Sequence, residues 1–108
     1  MKQMSDRNEL TDIIYFSSSV LVYFYTPLCG TCDLARQFIE MAETAAADKV
    51  EVYEMDINLM KQLVSDYKIE SVPCLVRFEG GEAVSRIQAF ESVTNVYNFL
   101  MNSYARSE

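Results

Sequence analysis

Histidine and tryptophan are absent from the 108 residues, proline occurs twice, and glycine and cysteine three times each. Each shortage excludes something. Without histidine there is no imidazole to ligate a metal, act as a general base or partner a nucleophilic thiol. Three cysteines make a poor structural framework in a reducing compartment, so a close pair points to catalysis or metal binding. Basic residues are also scarce: Lys and Arg number 9 against 16 Asp and Glu, a formal net charge of −7. Nucleic acid and anionic membrane both attract cations, so neither is expected as a partner. The longest apolar run that reads as one element, Val20–Tyr25, is far short of the roughly 20 residues a membrane-spanning helix needs. Asp6, Glu9 and Asp12 interrupt the N-terminal stretch before any apolar run begins, so an export signal is not expected. The expectation is a soluble, cytoplasmic protein.

What is present suits one compact domain over residues 1–108, long enough to bury a core without disulfide staples. Ser5 or Asp6 is placed to cap a first helix running to Phe16, with Leu10, Ile13, Ile14 and Phe16 as its apolar stripe. Val20–Tyr25 is continuously apolar, β-branched and aromatic, as in a strand covered on both faces. A second helix is predicted over 31–46, with Leu34, Phe38, Met41, Ala42 and Ala45 facing the core. A strand at 50–56 follows, then a short helix at 58–67 with Leu59, Leu63, Val64 and Tyr67 inward. Cys74–Glu79 and 83–88 read as a hairpin around Gly80-Gly81. Val93, Val96, Tyr97, Leu100 and Met101 mark a last helix with Ser92 or Glu91 near its cap, and the tail from Ala105 to Glu108 reads as frayed. The order α-β-α-β-α-β-β-α predicts an α/β fold. It has a mixed four-stranded sheet, two parallel strands plus an antiparallel hairpin, with helices on both faces.

The chemistry concentrates at Cys29-Gly30-Thr31-Cys32, where the first strand delivers two thiols to the start of a helix. Free N–H groups and the helix dipole at that end favour a thiolate at Cys29. Cys32, one turn further in, is expected to be less exposed and placed to attack Cys29. Gly30 is read as giving the turn room for want of a Cβ. The competing reading is a metal site built on Cys29, Cys32 and Cys74, which lacks a fourth protein thiolate or imidazole. No metal is assigned and no organic cofactor is expected.

With these motifs in place the chain resembles the thioredoxin family. The resemblance rests on VLVYFYTPLCGTC, on the strand end VYEMDIN, on KIESVPCLVRFEGGE and on the closing helix. It implies a thioredoxin fold and a thiol–disulfide oxidoreductase that reduces protein disulfides through Cys29 and Cys32. It also implies a cis peptide before Pro73, packed against the cysteine pair. Leu28, Gly30, Thr31, Val72 and Pro73 become the expected substrate-binding rim, with Val72 backbone groups free to pair with an extended segment. Recycling by a reductase of the thioredoxin-reductase type and a monomeric state are expected. The alternative is a thioredoxin-like binding or scaffold module whose cysteines are not catalytic or hold a metal.

Departures from the family pattern mark three further candidates. Tyr23 falls where a buried aspartate is usual, and reads as a packing residue with a hydrogen-bonding tip. Glu54 falls where that aspartate's lysine partner is usual. It either faces water at a strand end or accepts the Cys32 proton, its pKa raised by burial. Cys74 stands where threonine is usual and is either a small buried hydrophobe or a third redox thiol near Cys29. Thr31 replaces a stiffening proline, which predicts a less reducing dithiol than in thioredoxins proper.

Overall fold

A computed structural model describes residues 1–101, so the predicted frayed tail lies outside the described residues. The elements in chain order are β1 (Lys2–Met4), α1 (Arg7–Phe16), β2 (Val20–Tyr25), α2 (Gly30–Ala45) and β3 (Val52–Asp56). A single 3-10 turn (Ile57–Leu59) leads to α3 (Lys61–Asp66), then β4 (Cys74–Glu79), β5 (Glu82–Ile87) and α4 (Val93–Met101). The sheet order is β1-β3-β2-β4-β5, with β1, β3 and β2 parallel and β4 and β5 antiparallel.

The central strand behaves as its composition requires. Val20, Val22 and Phe24 point into a core shared with Leu10 and Ile14 of α1 and Leu63 of α3. Leu21 and Tyr23 point into a second core with Ala35 and Ile39 of α2 and Val96 and Leu100 of α4. The mixed sheet with helices on both faces is therefore as predicted, but it has five strands rather than four. The missed strand is β1, an edge strand of three residues of which only Met4 is buried. So short a segment carries no alternation to detect, and its pairing with Tyr53–Met55 of β3 holds it. No described helix is long and apolar enough to cross a membrane.

The packed face of α2 differs from the predicted one. Cys32, Ala35, Ile39 and Ala42 are buried, whereas Leu34 and Met41 are about half exposed and Ala45 lies outside. The true stripe is shifted by one residue, a rotation of about 100°. Both stripes are apolar, and the side chosen is the one whose small residues let the helix approach the sheet and α4 closely. Phe38 stays partly buried at its edge. Phe16 and Leu59 also turn outward, Phe16 because it ends α1 and Leu59 because it lies in the 3-10 turn. The helix predicted over 58–67 is split there, where Met60 leaves helical geometry at φ −138° and ψ 51°.

Local chemistry sets the ends. The Asp6 carboxylate caps α1 by accepting from the N–H groups of Asn8 and Glu9. Ser92 and Asn95 accept each other's backbone N–H at the start of α4. Gly80 and Gly81, at φ 58° and 86°, make the two-residue turn of the β4–β5 hairpin. The buried Glu43 of α2 accepts the Val52 N–H and pairs with the Met1 amine, which docks the helix on β3 and β1.

Candidate active site

β2 ends at Tyr25, the chain turns through Thr26, Pro27 and Leu28, and Cys29 becomes the N-cap residue of α2. Its N–H donates to the Thr26 carbonyl at 3.1 Å, and the Cys32 N–H returns to the Cys29 carbonyl at 3.3 Å. The tight turn holds the two Cα atoms 5.3 Å apart and the sulfurs form a disulfide. Cys29 is partly exposed and Cys32 is 1% exposed. An exposed sulfur at the positive end of a helix, bonded to a sealed one, forms an asymmetric pair: one sulfur can be reached, the other only through it.

All five predicted rim residues are gathered at this end of α2, whose first residue is Gly30. Leu28 is 96% exposed beside Cys29. The Thr31 hydroxyl lies 3.5 Å from Cys29 Sγ, and the Val72 carbonyl oxygen lies 3.9 Å from the same sulfur. The Val72–Pro73 peptide is cis, as the resemblance implies. Thr31 and Pro73 line a hollow of about 280 Å³ with Leu34, Ala35, Gln88 and Phe90. Gly30 needs a correction, because a Cβ there would meet nothing within 4 Å, so the turn does not depend on its absence. Sequence pattern does not point to Leu34, Gln88 or Phe90: helical spacing puts Leu34 in the core, and Gln88 and Phe90 sit in no motif, the Gln88 amide donating to Ser71 Oγ just before Pro73.

Behind Cys32 lies a polar cluster. Tyr23 is fully buried and its hydroxyl donates to the Cys32 carbonyl oxygen at 2.8 Å. Burial holds the phenol well above its ordinary pKa, with Arg36 pulling the other way. Glu54 pairs with Tyr23 across β2 and β3 and is only 7% exposed, so its water-facing reading is wrong. Arg36 of α2 reaches over it: Nε donates to Glu54 Oε1 at 3.0 Å and Nη1 to Asp33 Oδ1 at 3.2 Å. The guanidinium lies 4.8 Å above the Tyr25 ring and 5.9 Å from that of Tyr23. Arg36 thus supplies the cation that lets a carboxylate sit inside the sheet.

Cys74 is placed elsewhere. It follows Pro73 on β4, is fully buried as a free thiol, and packs with Phe24, Leu10 and Ile14 on the α1–α3 side of the sheet. Cys29 and Cys32 belong to the α2–α4 side, so the third thiol does not join the pair. Burial pushes the Cys74 pKa up, with Arg86 offsetting part of the effect. Among the described residues, no three His, Cys, Asp or Glu side chains are grouped to hold a metal ion. A second cleft, about 170 Å³ between α1 and α3, contains none of the predicted site residues.

Comparison with known proteins agrees with this geometry. The family model described as Thioredoxin matches residues 2–102. The chain is 35% identical over 102 residues to the thioredoxin-like protein YusE of Bacillus subtilis (strain 168), covering 93% of this chain and 91% of that one. It is 24% identical over 85 residues to the bifunctional thioredoxin reductase/thioredoxin of Mycobacterium leprae (strain TN), covering 79% of this chain and 19% of that one. Among solved structures, oxidised thioredoxin from Plasmodium falciparum superposes with a TM-score of 0.77 at 21% identity, over 97% of this chain and 98% of that one.

Proposed function

The chain belongs to the thioredoxin family, and on that premise we propose that it reduces protein disulfides in the cytoplasm through the Cys29–Cys32 dithiol. The observation that carries this reading is the pairing of a reachable sulfur at the N-terminus of α2 with a sealed one 5.3 Å away between Cα atoms.

In the forward reaction the Cys29 thiolate attacks one sulfur of a substrate disulfide. That S–S bond breaks, the far substrate sulfur leaves as a thiolate and takes a proton from water, and a mixed disulfide with Cys29 forms. Cys32 then gives its proton to water and attacks Cys29 Sγ. The Cys29–Cys32 bond forms, and the second substrate sulfur leaves and is protonated. Two electrons and two protons pass from the dithiol to the substrate. The hollow between Thr31, Pro73 and Phe90 takes the substrate's side chains, and the Val72 backbone pairs with its extended main chain. Leu28 adds an exposed apolar contact beside the nucleophile. A reductase of the thioredoxin-reductase class returns the electrons, and the mycobacterial relative's name, joining a reductase and a thioredoxin in one protein, supports that assignment. The protein acts as a monomer.

Turnover of insulin disulfides by dithiothreitol tests the reading. Catalysis lost in Cys29→Ser, with a mixed disulfide trapped in Cys32→Ser, is the expected result. A folded wild-type protein that leaves the uncatalysed rate unchanged overturns it and leaves a binding module.

A further inference from the structure

The cleft of about 170 Å³ between α1 and α3 lies apart from the disulfide, and its two ends carry opposite charge. Arg7 of α1 and Lys61 of α3 line it, and so does Asp66, the last residue of α3. The tyrosines mark which charge lies where. The Tyr67 hydroxyl meets that of Tyr15, so the C-terminal ends of the two helices come together there. Asp66 is the residue before Tyr67 and belongs to that end. Lys61 begins α3, ~7.5 Å back along the helix from Asp66, and Arg7 begins α1, ~12 Å back from Tyr15. Both cations therefore stand away from the tyrosines.

These charges are not neutralised within the protein. Among the described residues the ion pairs are Met1 with Glu43 and Arg36 with Asp33 and Glu54, and none involves Arg7, Lys61 or Asp66. Asp66 accepts from the Gln62 side-chain amide at 2.8 Å, an uncharged partner. The first turn of α1 adds little to the site, because Asp6 already accepts the N–H groups of Asn8 and Glu9. Between the charged ends the floor is apolar, since Met60 and Leu63 are buried. The acidic end is also the aromatic one, and the hairpin turn fixes it. Tyr67 donates to the Gly81 carbonyl oxygen, and the Tyr15 ring lies so close over Gly81 that an added Cβ would sit 2.9 Å from Tyr15 Cδ1. A carboxylate beside two aromatic rings favours a cation twice over.

We propose that this cleft binds an ω-amino carboxylate, a short methylene chain with a carboxylate at one end and an alkylammonium at the other. Arg7 and Lys61 hold the carboxylate, Asp66 and the tyrosine rings hold the ammonium, and the methylenes cover Met60 and Leu63. A plain carboxylate would share the cleft with Asp66, and a plain amine with two cations. Only a molecule bearing both charges meets its opposite at each end. Size sets the length: a cavity of about 150 Å³ takes a molecule as large as benzene, so a slim chain of about six carbons fits here. Free ω-amino acids and the C-terminal lysine of a peptide share this chemistry. The site stands independently of Cys29 and of the reductase reading.

Titration of the isotope-labelled full chain with 6-aminohexanoate at low salt, read as amide shifts by NMR, tests the proposal. Saturable shifts at Arg7, Leu63, Asp66 and Tyr67 are expected, with a dissociation constant of about 1 mM. Hexanoate and hexylamine at matched ionic strength should each bind about tenfold more weakly, since each leaves one end without its charge-assisted bonds. Asp66→Asn should erase the advantage over hexanoate, and Arg7→Gln combined with Lys61→Gln the advantage over hexylamine. All three side chains are exposed, so the variants are expected to fold. Nα-acetyl-lysine, which copies the end of a peptide, separates the two sources: tighter binding than 6-aminohexanoate assigns the site to a peptide terminus, weaker binding to a free small molecule. Wild-type protein that binds hexanoate as well as 6-aminohexanoate overturns the proposal. So do shifts that never saturate, or a preference that survives Asp66→Asn.

Discussion

The Tyr23 hydroxyl donates to the Cys32 carbonyl oxygen at 2.8 Å, joining the middle of the central strand to the first turn of the helix that carries the disulfide. The bond is buried, and the phenol is pinned between Tyr25 and Phe90. A hydroxyl at the centre of the sheet thus sets how the sealed cysteine's peptide sits. Removing it in Tyr23→Phe leaves the ring packing intact and costs about 1 kcal/mol of stability. Urea denaturation of the oxidised protein measures the loss. An unchanged midpoint would mean that the bond contributes nothing net.

Arg36 and Glu54 are expected to be worth little as a pair but a good deal to each other. Arg36→Met strands a carboxylate inside the sheet, and the partly open guanidinium side reduces the penalty to about 2 kcal/mol. Combining it with Glu54→Gln should recover most of that loss. The double-mutant cycle is the readout, and strictly additive losses would show that the two side chains do not interact.

Alkaline pH should destabilise the fold early. Burial raises the pKa of Cys74, and burial first, then hydrogen bonding to Tyr15, pushes that of Tyr67 up to about 12. Both groups therefore lose their protons more readily when unfolded. Their contribution is complete below the unfolded values and drains away as pH climbs toward the folded ones. For Cys74 the decline starts near the ordinary value of a solvated thiol, 9.0. Urea midpoints from pH 7 to 11 should fall, and Cys74→Ala should flatten the first part of the slope. The same thiol should react with an aromatic disulfide reagent only after unfolding.

Two glycines should respond oppositely to alanine. At Gly81, φ is 86° and an added Cβ would lie 2.9 Å from Tyr15 Cδ1, so Gly81→Ala should cost about 1–2 kcal/mol. At Gly30 the space is open, so Gly30→Ala should leave stability the same or slightly higher. Thermal melts of the two variants distinguish them directly.

The legible parts of this protein were those written in consecutive residues. A continuous apolar run defines β2, a double glycine with no side chain to clash defines the hairpin, and Asp6 or Ser92 before a helical pattern defines a cap. Cys29 and Cys32 are three positions apart on one turn, so their proximity is local and needs no partner element.

What the tertiary structure decided are choices between local equals. Leu34 with Met41 and Ala35 with Ile39 are both apolar stripes of α2, and only close packing on the sheet and α4 selects the second. Glu54 is as polar as any surface residue until Arg36, 18 positions earlier on another element, covers it. Cys74 follows the motif's proline in sequence, yet the alternation of β4 turns it to the far side of the sheet. Backbone geometry propagates over a few residues and can be read from them. Which face is covered, and by which charge, is a property of surfaces brought together from distant parts of the chain.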